Sequence, residues 1–267
     1  MTTTPALHAQ SVTLSYEARQ VAEDLTVEIP HGRITAIIGP NACGKSTLLR
    51  ALSRLLAPRA GQVLLHGEDV RKLAPKDLAR KLGLLPQSSV APFGITVAEL
   101  VGRGRFPHQR MLQQWSADDE DAVRRAMRAT GVTDLAERAV EELSGGQRQR
   151  VWIAMLLAQD TPVMLLDEPT TYLDIAHQLD VLELCRQLNR DEGRTMVLVL
   201  HDLNQAARYA DHLVVLKDGV LAAAGRPSDV LTEDLLGDVF GLTAKVLLDP
   251  VFGMPMVIPI ASMTQPG

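Results

Sequence analysis

The sequence predicts an α/β protein, and three observations carry that prediction. The apolar run Arg33–Ile38 ends in a glycine-rich loop that leads straight into a helical stretch from Gly44. Two more apolar runs of strand length, Val163–Leu166 and Thr195–Leu200, flank a helical stretch at Ile175–Asn189. Between these halves, Thr96–Leu143 carries helical signals and hardly any strand pattern. A strand–loop–helix start, and an alternation that resumes after an interruption, suit a sheet covered by helices.

Composition bounds the rest. A chain of 267 residues, 46% hydrophobic, can bury a large core as one domain or two. The net charge of -5, with no basic run of five or more residues, gives no reason to expect nucleic acid as a partner. No segment approaches the roughly 20 apolar residues that span a bilayer. The start, MTTTPALHAQ, lacks the charge-then-apolar layout of a signal peptide. Membrane work would therefore pass through a partner chain. Two cysteines, Cys43 and Cys185, are too few for a disulfide framework and suit a reducing cytosol.

Taken in order, Val12–Tyr16 and Leu25–Ile29 alternate apolar and polar residues, as half-buried antiparallel strands do. The helix from Gly44 sets Leu48, Leu49, Leu52 and Leu55 on its buried side. A helical insertion is expected over about 87–158. Thr96 and Glu99 have capping-box spacing there, Ser116 with Asp118–Glu120 makes an acidic helix start, and Gly131 sits where a helix would stop. Beyond it, Leu179, Leu182 and Leu188 share one face of the helix Ile175–Asn189. Asp218-Gly219 predicts a tight hairpin between Leu213–Lys217 and Val220–Ala224. The tail Lys245–Ile260 alternates weakly around Pro250, Pro255 and Pro259, which predicts a short β appendage, 241–267, on a domain spanning 1–240.

Three motifs carry chemistry. Gly39-Pro40-Asn41-Ala42-Cys43-Gly44-Lys45-Ser46-Thr47 fits the phosphate-binding pattern G-x-x-x-x-G-K-[ST]. Its glycines let successive N–H groups converge on phosphate oxygens, and the helix that follows points its positive end at the same anion. Lys45 would reach the β- and γ-phosphates and Ser46 would ligate magnesium. Asp167 and Glu168 end a buried strand, where ligands sit in open α/β sheets. Asp167 suits a magnesium ion, directly or through water, and Glu168 can polarise a water for in-line attack on the γ-phosphorus. In Leu143-Ser144-Gly145-Gly146-Gln147, Ser144 is a good N-cap and the two glycines would leave N–H groups open to an anion. An ordinary capped helix start would fit these last residues equally well.

The phosphate loop, Leu143–Gln147 and Leu165–Glu168 together resemble the ATPase subunits of ABC transporters, over about residues 7–240. That resemblance implies an ABC-type phosphate-loop NTPase fold: a mixed core sheet, an antiparallel β subdomain and a helical subdomain. It implies that Tyr16 stacks on adenine, that Gln87 senses the γ-phosphate and magnesium, that Asp174 lies at a dimer seam and that His201 contacts the γ-phosphate. ATP with Mg2+ would sit between the phosphate loop of one protomer and Ser144–Gln147 of another, in a head-to-tail homodimer beneath membrane permease subunits and, indirectly, a solute-binding protein. The place implied is the cytoplasmic face of the membrane.

Two positions depart from the family pattern. Ala42 stands where many such loops have glycine, and left-handed geometry there would cost roughly 1–2 kcal/mol. Tyr172 replaces a small residue. Cys43 reads as a small filler whose thiol Lys45 and the helix start would activate, so that alkylation inhibits and Mg-ATP protects. The segments 92–107, 168–178 and 201–204 resemble importers of ferric siderophores, with cobalamin or haem as the alternatives. A soluble ABC ATPase acting on DNA or ribosomes would need coiled-coil insertions or a second ATPase unit, and the chain has neither. A non-hydrolysing subunit fits poorly with both Lys45 and Glu168 present.

Overall fold

The computed structural model describes residues 4–17, 19–109, 115–171 and 173–263, so Tyr172 lies outside the described residues. The chain begins with β1 (Leu7–Tyr16), β2 (Arg19–Ile29), β3 (Ile34–Ile38), α1 (Lys45–Leu52), β4 (Ala60–Leu65) and β5 (Glu68–Asp69). It continues with α2 (Pro75–Lys81), β6 (Leu82–Leu85), α3 (Val97–Gly102), α4 (Ala117–Ala129), α5 (Gly145–Ala158), β7 (Val163–Asp167) and α6 (Ile175–Glu192). The last stretch holds β8 (Thr195–Val199), α7 (Leu203–Tyr209), β9 (His212–Lys217), β10 (Val220–Gly225), α8 (Pro227–Val230), α9 (Glu233–Phe240), β11 (Leu242–Leu248) and β12 (Pro255–Ser262). Two compact units result, Met1–Lys72 with Thr195–Gly267, and Leu73–Arg194.

The first unit contains an antiparallel sheet in the order β2-β1-β4-β5. Along β2 the period of two is clean: Leu25, Val27 and Ile29 are buried while Thr26 and Glu28 face out. β1 is longer than its alternation suggests, because a bulge between Ala9 and Val12 shifts the register. Ser11 takes a φ of 46° there, and Gly61 opposite is obligatory, since a Cβ would lie 2.3 Å from the carbonyl oxygens of Gln10 and Ser11.

The same unit holds the neighbouring strands β10, β9, β3 and β8, in that order. β3 runs parallel to both β8 and β9, and β10 closes back antiparallel on β9. β3 is buried along its whole length, as an apolar run without alternation requires. Asp218 (φ 48°) and Gly219 (φ 79°) form the expected two-residue turn between β9 and β10. One expectation fails nearby. α1 ends at Leu52 and Arg54 turns left-handed, so Leu55 leaves the buried face and is 69% exposed.

β11 and β12 pair antiparallel, and the hairpin is anchored. The Asn204 side chain on α7 donates to the Val257 carbonyl at 3.1 Å and accepts from the Val257 N–H at 2.7 Å.

In the second unit β6 pairs in parallel with β7, Leu82 opposite Val163 through Leu85 opposite Leu166. Its helices start as their sequences dictate. Thr96 with Glu99 and Ser116 with Asp119 form reciprocal capping boxes, and Gly131 (φ 64°) follows the end of α4. Asp119 also pairs with buried Arg105 at 2.8 Å, and Arg105 donates to the Ala158 carbonyl at the end of α5. Removing either partner would strand a buried charge, at about 3–5 kcal/mol. No helix among the described residues is long and apolar enough to cross a membrane.

Candidate nucleotide site

In the first unit, buried β3 delivers the chain into the loop Gly39–Gly44. Only glycine fits at 39: its φ is 152°, and a Cβ would lie 2.2 Å from the Leu216 carbonyl oxygen. Ala42 is left-handed, with φ 62°, so the loop carries the cost that this geometry brings to an alanine. Gly44 (φ 105°) caps α1 with no side chain closing the helix start. The Lys45 ammonium, 5% exposed as a residue, donates to the carbonyls of Gly39 and Pro40 at 2.8 Å each. The loop's own carbonyls therefore hold its cation in place. Ser46 and Thr47 occupy the first turn of α1. Tyr16 ends β1 with its ring partly exposed, its hydroxyl accepting from Arg50 at 3.1 Å. His201 is exposed just beyond β8, next to Asp202, which caps α7.

Cys43 departs from expectation. It is 3% exposed, and burial raises its thiol above the ordinary value, with the Lys45 charge only partly offsetting this. A raised pKa lowers the thiolate fraction at a given pH, and the thiolate is the nucleophile. Alkylation at pH 8 should therefore run slower than for free cysteine and accelerate as pH rises. Cys185, whose thiol burial pushes to about 12, should label more slowly still. Mass spectrometry after timed labelling checks this; labelling of Cys43 at the free-thiol rate would contradict its burial.

The second unit assembles the acidic end. β7 finishes at buried Asp167, and Glu168 follows with a φ of 52°, a left-handed conformation worth about 1–3 kcal/mol of strain in a non-glycine residue. Its Oε2 accepts from the Gln87 side chain at 2.7 Å and from the Thr171 hydroxyl at 3.0 Å. The parallel register explains the first contact: Leu85 lies opposite Leu166, so residues just past the ends of β6 and β7 meet. Sequence reasoning misses Thr171. The only signal for it is a hydroxyl residue three positions after the acid.

Ser144 caps α5 in a reciprocal box with Gln147. That box engages the N–H groups of Ser144 and Gln147 and not those of the two glycines between them. A Cβ on Gly145 would meet nothing within 4 Å, so packing in this chain does not demand a glycine there. Asp174 caps α6 through the His177 N–H at 2.9 Å, and that bond, with the His177 ring, holds its carboxyl below the usual range. Among the described residues no group of three or more His, Cys, Asp or Glu could hold a metal alone. The candidate magnesium ligands Ser46, Gln87 and Asp167 offer hard oxygen donors, which suit a cation that arrives with further oxygens.

Comparison with known proteins accords with these features. Residues 22–171 match the family model described as ABC transporter. The chain is 56% identical to the ferric enterobactin transport ATP-binding protein FepC of Escherichia coli K12, over 95% of this chain and 94% of that one. It is 46% identical to the iron(3+)-hydroxamate import ATP-binding protein FhuC of Bacillus subtilis 168, again over 95% and 94%. Its structure resembles the dimeric ATP-binding cassette MJ0796 in a post-hydrolysis state bound to ADP and Pi, with a TM-score of 0.73 and 28% identity over 82% of this chain and 98% of that one.

Proposed function

The chain belongs to the ABC transporter family, and from that premise we propose that two copies, head to tail, hydrolyse ATP to drive import of a ferric siderophore through membrane permease subunits. The observation that carries the shared site is Gly145. One chain holds two anion-suited helix starts, α1 and α5, and the glycine of the second faces open space. A phosphate brought by a second copy gives that glycine a reason.

Each nucleotide would lie between residues 39–47 of one copy and Ser144–Gln147 of the other, with Tyr16 on the adenine and Asp174 at the seam. Lys45 draws off charge from the β- and γ-phosphates, and His201 contacts the γ-phosphate. Glu168 accepts a proton from the attacking water, its carboxylate held in one orientation by Gln87 and Thr171. Mg2+, bound by Ser46, Gln87 and Asp167 with the phosphates' own oxygens, would neutralise part of the phosphate charge. Binding energy favours the closed pair because ATP touches both copies, and hydrolysis removes that preference. The helices within about 87–158 are read as the subdomain carrying Ser144–Gln147, and 241–267 as an appendage to the ATPase domain 1–240.

Just after Gln87, Phe93 is 95% exposed and Val90 also faces solvent, which suits an apolar contact with a cytoplasmic helix of the permease. The chain would then sit at the cytoplasmic face, with a solute-binding protein delivering cargo on the far side. The two relatives' names share iron(III) and differ in the chelator. Cells lacking this subunit should lose energy-dependent uptake of radiolabelled ferric siderophores to background, and regain it on complementation. Unimpaired uptake of every iron chelate, with loss of cobalamin uptake, would move the assignment.

A further inference from the structure

We propose that His177 is a positioning residue that ties Asp174 to Gly146, an inference that rests on the two-copy site above. His177 lies in the first turn of α6, three residues after its cap. Its ring Nδ1 is 2.8 Å from both carboxylate oxygens of Asp174. A carboxylate only accepts, so Nδ1 carries the proton and donates. Another part of the ring faces α5. A Cβ built on Gly146 would lie 3.3 Å from Cδ2, 3.4 Å from Cγ and 3.6 Å from Nε2 of His177. One imidazole thus holds the seam carboxylate and is seated over the second glycine of the Ser144–Gln147 turn.

Capping α6 does not account for this ring, because the His177 backbone N–H already donates to Asp174. Gly146 likewise keeps its α-helical conformation without being glycine for backbone reasons: it is absent from the residues with positive φ. What a side chain there would meet is the imidazole. The ring therefore links the two pieces of the second unit that meet the other copy and its nucleotide, and fixes their spacing. His177 needs no contact with ATP to do so.

The test uses the full chain. His177→Ala should lower kcat about tenfold while leaving KM for ATP within about twofold, since it disturbs closure and not the loop that binds nucleotide. His177→Asn places an amide nitrogen where Nδ1 stood and should restore part of the loss. Gly146→Ala should cost a larger factor in kcat when His177 is present than in the His177→Ala background, where the contact it crowds is gone. In a Glu168→Gln background, ATP-dependent dimerisation followed by sedimentation should weaken when His177 is also replaced by alanine. Native kcat in His177→Ala, no recovery with His177→Asn, or strict additivity with Gly146→Ala would overturn the inference. A Glu168→Gln protein that dimerises equally well with and without His177 overturns this inference alone. One that stays monomeric with ATP overturns the shared-site reading, and this inference falls with it.

Discussion

Glu168→Gln should lower ATP turnover by at least about 100-fold, the lower range of what a positioned general base contributes, while ATP binding persists. The substitution keeps the shape of the side chain. Gln87 and Thr171 can still donate to the remaining carbonyl oxygen, so orientation survives. What disappears is an oxygen basic enough to take a proton from water. In the proposed cycle hydrolysis reopens the pair, so the variant should accumulate as an ATP-bound dimer in size-exclusion chromatography. Phosphate release measured alongside decides the matter. Turnover at the native rate would remove Glu168 from the chemistry.

Gly145→Asp should lower turnover by about 100-fold or more, the scale of losing a preorganised anion contact, while the isolated monomer binds ATP as before. The argument turns on space: a Cβ at 145 meets nothing within 4 Å, so the fold tolerates it. The new carboxylate would instead oppose the phosphate presented by a second copy. Lys45→Ala damages the other half of the site. Mixing the two variants should make heterodimers with one intact site each and restore about a quarter of native turnover if the sites act independently. Loss of monomer ATP binding in Gly145→Asp would mean the site is built within one chain.

Local rules make much of this fold legible. The caps at Thr96, Ser116, Ser144 and Asp174 and the Asp218-Gly219 turn each follow from a side chain or a φ preference that acts over a few residues. The misses share a cause as well. The bulge at Ser11 breaks the period of two, so alternation starting at Val12 hides the first half of β1. The left-handed turn at Arg54 swings Leu55 outward although its spacing matches the buried face of α1. Among the candidate residues, Lys45 and Glu168 stand out by residue type and by position after a strand. Thr171 and His177 do not, because their roles come from packing: a hydroxyl turned back on Glu168, and a ring laid over Gly146. Gln87 is reached only through resemblance; its pairing with Glu168 depends on the register of β6 against β7.

The grip of Asn204 on Val257 bears on how the molecule can be handled. The amide reads main-chain atoms only, and it fixes the path of β12 at a position whose own side chain, Val257, is buried. Anything fused behind β12 is consequently tethered to α7, the helix that begins two residues after His201. A label or immobilising tag at that end is mechanically joined to the helix beside His201, which in the proposed site would contact the γ-phosphate, and is a poor choice of inert handle. An attachment on the exposed strand β10, separated from β8 by β9 and β3 in the sheet order, avoids that lever.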